Sequence, residues 1–335
     1  MGASIKVLIC VFLLFGSMLP LVSCAGPHGA DEKYFLVTVN VKIPYWQAAA
    51  AGLIQAAREL KVSAEVAGPD SYDPKAEQQE FQRIVKLKPA GILVSPADPG
   101  LMAPDIDAAV NAGIPVITMD SDSPSSKRRL FIGTNNYEAG LIGGRLAAKL
   151  LQGKGNVVVF TMPGQANLDE RLNGYRFVFS DHPQIKIVDV VDIKGDPRIA
   201  SDRTSAVLEK EREKVDAFIC LEALAGKEVA AVVSRSQVAG KTIVAMDTDT
   251  GTLEWIEKGV IAATVAQKPF TMGFIGLKLL DELHHHPPTR LSANWAEDPF
   301  SHIPRFVDTG VTVVDKSTVA FFIKARDTAT SGANP

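Results

Sequence analysis

The sequence predicts an α/β protein built from two similar, doubly wound parallel-sheet lobes. Three observations carry this. Short β-rich apolar runs alternate with segments whose apolar residues recur at helical spacing, the pattern of a parallel sheet covered on both faces. The alternation runs once through the first 119 residues and restarts at Asn156. Two stretches also repeat in register: Lys88 to Val94 parallels Lys214 to Cys220, and Met119-Asp120-Ser121-Asp122 parallels Met246-Asp247-Thr248-Asp249. Ile92 lies 28 residues before Asp120, and Phe218 lies 29 before Asp247.

The first half opens with a strand at Phe35 to Val39 and a helix over residues 45–61, where Trp46, Ala49, Leu53, Ala57 and Leu60 share one stripe. A short strand at Ala64 to Ala67, a helix at Pro74 to Leu87 and a strand at Gly91 to Val94 follow. A helix at Met102 to Asn111 ends at Gly113, a suitable C-terminal cap, before the strand Pro115 to Met119. In the second half, strands are expected at Val157 to Thr161, Ile185 to Val191, Ala217 to Leu221 and Thr242 to Met246. Helices are expected at Asp169 to Ser180, Ile199 to Glu211 and Gly226 to Ser234. Gly140-Leu141-Ile142-Gly143-Gly144 lacks the dinucleotide fingerprint and reads as close helix packing.

Composition narrows the class. The 335 residues are 46% hydrophobic and 22% charged, which excludes wholesale disorder. A net charge of −3, with no basic stripe, argues against nucleic acid as a partner. Lys6 followed by the apolar run Val7 to Val22 is too short to span a bilayer and reads as a secretory signal. It ends Leu21-Val22-Ser23-Cys24, resembling a bacterial lipoprotein signal in which Cys24 is lipidated. Residues 1–23 are therefore expected to be removed, 24–33 to form a tether, and the acyl chains to hold the protein on a membrane surface. Only Cys220 remains for the body, inside an apolar run, as a buried structural thiol.

Ligands of open parallel sheets sit beyond the carboxyl ends of the strands. That nominates Lys42, Tyr45 and Trp46 after the first strand, Ser95 after the third, and Asp120 with Ser121 after the fourth. Glu222 and Asp247 hold the matching places in the second half. If the lobes face each other, these residues converge on one cleft. Neighbouring aromatics cover the apolar faces of a sugar ring, and carboxylates accept two hydroxyl hydrogen bonds each. Taken singly, each Asp also suits a turn or helix cap, and Trp46 also fits the core stripe of its helix.

Six motifs in order carry a family resemblance: Ile43-Pro44-Tyr45-Trp46, Gly91 to Asp98, Gly113 to Asp120, Ile132 to Gly140, Glu170-Arg171-Leu172-Asn173-Gly174-Tyr175, and Ala262 to Gln267. From about Phe35 to Lys324 the chain resembles the type I periplasmic sugar-binding proteins of bacterial ABC importers, in the ribose-binding branch. The resemblance implies that Tyr45 and Trp46 stack on a sugar, that Asp120 and Asp247 bind hydroxyls, and that Arg171 and the hinge-proximal Gln267 complete the site. Ile43, Ser95, Ser121 and Glu222 depart from the ribose binders. Lys42 and the Asp120-Ser121-Asp122 run look more like the branch that binds rhamnose or autoinducer-2, with Lys42 either on the ligand or on Asp122.

The resemblance also implies a three-segment hinge, placed near Thr134 to Tyr137, Gln267 to Pro269 and Arg305 to Gly310. The lobes are then 34–134 with 268–304, and 135–267 with 305–326, followed by a flexible tail at 327–335. The expected protein is a monomeric, lipid-anchored binding protein of the periplasm or outer cell surface. It delivers a small sugar or polyol to an ABC importer permease, without catalytic residues, cofactor or metal. A sensory subunit for a receptor kinase or chemoreceptor is the alternative. His284-His285-His286 is expected to be a solvated turn, with no carboxylate at metal spacing.

Overall fold

The computed structural model describes residues 28–29, 32–288 and 295–330. The signal segment, Cys24, most of the tether and the last five residues lie outside the described residues. In chain order the first half runs β1 (Lys33–Val37), α1 (Pro44–Leu60), β2 (Ser63–Ala67), α2 (Pro74–Val85), β3 (Gly91–Val94), α3 (Pro99–Asn111), β4 (Val116–Met119) and β5 (Phe131–Gly133). The second runs α4 (Asn136–Leu150), β6 (Lys154–Thr161), α5 (Ala166–Ser180), β7 (Gln184–Asp192), α6 (Pro197–Lys210), β8 (Ala217–Cys220), α7 (Ala225–Arg235), β9 (Thr242–Met246), α8 (Thr250–Glu257) and β10 (Ala263–Ala266). The chain ends with α9 (Pro269–His285), β11 (Phe306–Asp308), β12 (Thr312–Asp315) and α10 (Val319–Thr330).

Two six-stranded sheets have the same order: β2-β1-β3-β4-β5-β11 and β7-β6-β8-β9-β10-β12. All neighbours are parallel except β12, which runs antiparallel to β10. Central strands β3, β4, β8 and β10 are buried throughout, so they read as unbroken apolar runs. Each sheet has a core on both faces. Local chemistry starts the helices: Asp73, Asp98 and Asp196 each cap a helix whose first residue is proline.

One device closes both lobes. A Cβ at Gly273 of α9 would sit 2.1 Å from the Ala49 carbonyl oxygen of α1, and a Cβ at Gly140 of α4 would sit 2.2 Å from that of Arg171 in α5. Only glycine lets each helix pair approach this closely. The second contact fixes the helix that carries Arg171.

The chain passes between the sheets at residues 134–135, 267–268 and 309–311. β11 belongs to the first sheet: it pairs with β5, and Phe306 stacks on Phe131 at 5.1 Å. The lobe boundary expected at residue 305 therefore falls after Asp308. The expected tether also ends early, because Lys33 is already paired with Ser63 in the sheet. Asp327 to Thr330, expected in the tail, continue α10. His284 and His285 form the last turn of α9 and His286 its C-cap, not a turn of their own. Cys220 is buried, and burial together with Glu222 raises its thiol pKa.

Candidate functional site

The strand ends of the two sheets face one another across a cleft. A cavity of about 80 Å³ lies there, below the usual small-ligand range of about 300–1,000 Å³. Its centre is a buried polar chain. Arg171 on α5 donates through Nε to Asn136 Oδ1 (2.8 Å), through Nη1 to the Leu221 carbonyl (2.7 Å) and through Nη2 to Gln267 Oε1 (2.7 Å). The Gln267 amide then donates to both Asp247 carboxylate oxygens, at 3.1 and 3.3 Å. The start of α4, the end of β8 and one crossing segment thus converge on one guanidinium, whose planar fork suits several partners at once.

Asp120 faces this chain from the first lobe. Tyr45 donates its hydroxyl to Asp120 Oδ1 at 2.6 Å. Asn167 of the second lobe donates to Asp120 Oδ2 at 3.3 Å, and Ser95 stands behind at 3.5 Å. A further bond joins the lobes from Gln165 Nε2 to the Tyr72 hydroxyl, at 3.0 Å. The two lobes are closed over the cleft.

Burial governs the electrostatics. It raises the Asp120 carboxyl and pushes Asp247 up to about 6, with Arg171 opposing both shifts. Burial likewise takes Glu222 to about 7, although the amides of Leu224 and Ala225 hold its charge at 2.5 and 2.9 Å. The Tyr45 hydroxyl is raised by burial and by the nearby Asp120. Two buried carboxyl groups from opposite lobes therefore face the cleft as hydrogen-bond acceptors.

An aromatic wall completes it. Trp46 meets Tyr45 edge-on, with ring centroids 5.0 Å apart. Both rings line the cleft, and Trp46, 5% exposed, is also part of the first lobe's core.

Residues 34–285 match the model of the periplasmic binding protein domain. The chain belongs to the periplasmic binding protein family. It is 35% identical to the arabinose-binding protein AraP of Geobacillus stearothermophilus, with a TM-score of 0.74 over 87% of this chain and 99% of that one. A sugar ABC transporter binding protein from Bacillus halodurans is 33% identical, with a TM-score of 0.76 over 87% and 99%. The D-allose-binding periplasmic protein of Escherichia coli K12 is 26% identical over 79% of this chain and 88% of its own.

Within this periplasmic binding fold the nominated residues separate into three groups. Tyr45, Trp46, Asp120, Arg171, Glu222, Asp247 and Gln267 line the cleft. Ser95 and Ser121 are buried outside its lining, and Ser95 touches the site only through Asp120. Lys42 is exposed and pairs with Asp70 at 3.5 Å. Asp122, its other expected partner, is held by Arg128 and by the Thr118 hydroxyl. Of the residues that pointed to a rhamnose or autoinducer-2 branch, Asp120 lines the cleft, whereas Lys42, Ser121 and Asp122 do not. Glu222 sits at its wall with both oxygens already engaged by the start of α7. Asn40, Tyr72, Gln165 and Asn167 also line the site. Asn167 precedes the Glu170-Arg171 motif by three residues and was open to recognition. Tyr72 leaves an edge strand in a polar loop, and only lobe closure gives it a role.

Proposed function

We propose that this protein captures one aldopentose or aldohexose between its lobes and passes it to an ABC importer, unchanged by any chemistry. The carrying observation is the pairing of Asp120 with Asp247 across the cleft, each tied into a lobe's hydrogen-bond network and flanked by Tyr45 and Trp46. A pyranose presents apolar C–H faces to the rings and hydroxyls to the carboxylates and to Arg171. The relatives are named for arabinose, allose, ribose and xylose or arabinose, all small polyols of this kind. Contacts from both lobes bind the closed state better than the open one, which is what ligand-driven closure requires. Export by the signal segment and lipidation of Cys24 complete the reading, with the protein acting outside the cytoplasmic membrane.

The test is a thermal-shift screen of the full chain in detergent against aldopentoses, aldohexoses, deoxyhexoses and autoinducer-2, followed by recovery of the bound compound. A ligand at 100 times its dissociation constant adds about 2.7 kcal/mol of stability. A shift with an aldose, recovered intact, supports the reading. A shift only with a non-sugar, or a recovered compound that has been altered, overturns it.

A further inference from the structure

At the end of α9 farthest from the cleft, four side chains from two distant parts of the chain meet. Asp281 and His285 are one helical turn apart and share a face of α9. Glu32 immediately precedes β1, and His28 precedes Glu32 by four residues. His28 Nδ1 lies 3.4 Å from Glu32 Oε2, 3.6 Å from Asp281 Oδ1 and 3.3 Å from His285 Nε2. His285 Nε2 lies 3.0 Å from Glu32 Oε2 and 3.7 Å from Asp281 Oδ1. The side chains are only 12–26% exposed.

Hydrogen bonding does not account for this arrangement. An imidazole nitrogen offers one N–H or one lone pair. Each of these two nitrogens faces three polar atoms, and one of the three is the other nitrogen. Protonating both would set two donors head to head. Protonating one leaves most of the approaches unserved.

A central cation accounts for all of them. Ligands held 2.0–2.2 Å from a tetrahedral zinc ion stand about 3.3–3.6 Å from one another. The five separations here run from 3.0 to 3.7 Å. The set of two imidazoles and two carboxylates, without thiolate, suits Zn²⁺ better than Ca²⁺ or Mg²⁺, which prefer oxygen alone. Outer partners are in place as well. Tyr34 donates its hydroxyl to Asp281 Oδ1 at 3.0 Å, and the Gly29 amide holds the second Glu32 oxygen at 2.5 Å, which leaves Oε2 to face the centre.

We propose that His28, Glu32, Asp281 and His285 form a four-coordinate zinc site that fastens the segment before β1 to the far end of α9. The expectation of no metal rested on the consecutive histidines. Asp281, four residues before His285, and the residues ahead of β1 supply what that run lacks.

The test is calorimetric titration of ZnCl₂ into the full chain in detergent, stripped with a chelator and dialysed. Wild type is compared with His28→Ala, His285→Ala and the double variant His284→Ala/His286→Ala. One zinc per chain is expected, with affinity at least tenfold weaker in each of the first two variants and unchanged in the third. Co²⁺ should give the strong visible absorption of a tetrahedral site in wild type and lose it in His28→Ala. The metal-free thermal midpoints of all variants should match wild type, which separates lost ligands from lost fold. Absence of zinc binding, or binding that survives His28→Ala and disappears in the double variant, overturns the site and assigns any affinity to the exposed histidines.

Discussion

Asp120 and Asp247 leave equivalent strands of the two sheets in the same left-handed backbone conformation, with φ of 66° and 67°. Each donates its amide to the neighbouring strand at 3.0 Å, Asp120 to Ile132 and Asp247 to Val265. The conformation is uncommon outside glycine, but aspartate tolerates it. It turns both carboxylates off the sheet end and into the cleft. The in-register repeat of the sequence is thus a repeat of site geometry.

Arg171 is the residue the cleft tolerates losing least. Replacing it by lysine keeps the charge but not the fork that serves Asn136, Leu221 and Gln267 together. Arg171→Lys should weaken sugar binding at least about 100-fold, about 2.7 kcal/mol. Calorimetry on the ligand found in the screen checks this, and an affinity near wild type would show that the guanidinium is not required.

Affinity should depend on pH through Asp247. A sugar hydroxyl donates to the ionised carboxylate, whose pKa burial lifts to about 6. Binding should therefore be strongest above pH 7 and fall up to about tenfold per unit below pH 6. Asp247→Asn should bind weakly with a flatter profile. Titrations from pH 5 to 8 on both proteins decide it.

Trp46 serves two purposes, and its removal should show both. It is 5% exposed and belongs to the core cluster with Ala49 and Leu53 while lining the cleft. Trp46→Ala should cost about 3–5 kcal/mol of stability as well as affinity. Denaturant melts without ligand isolate the first effect.

Glu77 offers a stability test away from the cleft. It is fully buried, one oxygen accepts the Ala97 amide at 3.1 Å, and burial lifts its pKa to about 8. The folded state holds this proton more tightly than the unfolded chain. Its contribution is complete below about pH 4.5 and is lost as the pH rises toward 8. Glu77→Gln should remove that loss, on the order of 3–5 kcal/mol. The gap between wild-type and variant melting curves should change steadily over that range.

Most of this architecture was legible because local rules agree with global ones. The buried strands read as apolar runs, and Asp-Pro pairs open three helices. Asp120, Asp247, Tyr45 and Trp46 followed from strand ends alone, and Arg171 and Gln267 from the family motifs. Other features depend on non-local contacts. β11 has only three residues, and its place is set by pairing with β5. Lys42 sits at the right position in the chain, but its side chain meets Asp70 in solvent. Tyr72 acquires a partner only because the second lobe brings Gln165 to it.

The crossings also set an order of assembly. α9 covers α1, and β11 closes the first sheet, yet both follow residue 268. As the chain emerges from the N-terminus, Leu53 of α1 and Leu93 of β3 wait for their cover until residue 285 has been made. Residues 136–266 hold five strands of the second sheet and their helices in one continuous stretch, and wait only for β12 and α10. The first half waits through the synthesis of most of the second for its cover, and its uncovered apolar face is the surface a holding chaperone would bind during that interval.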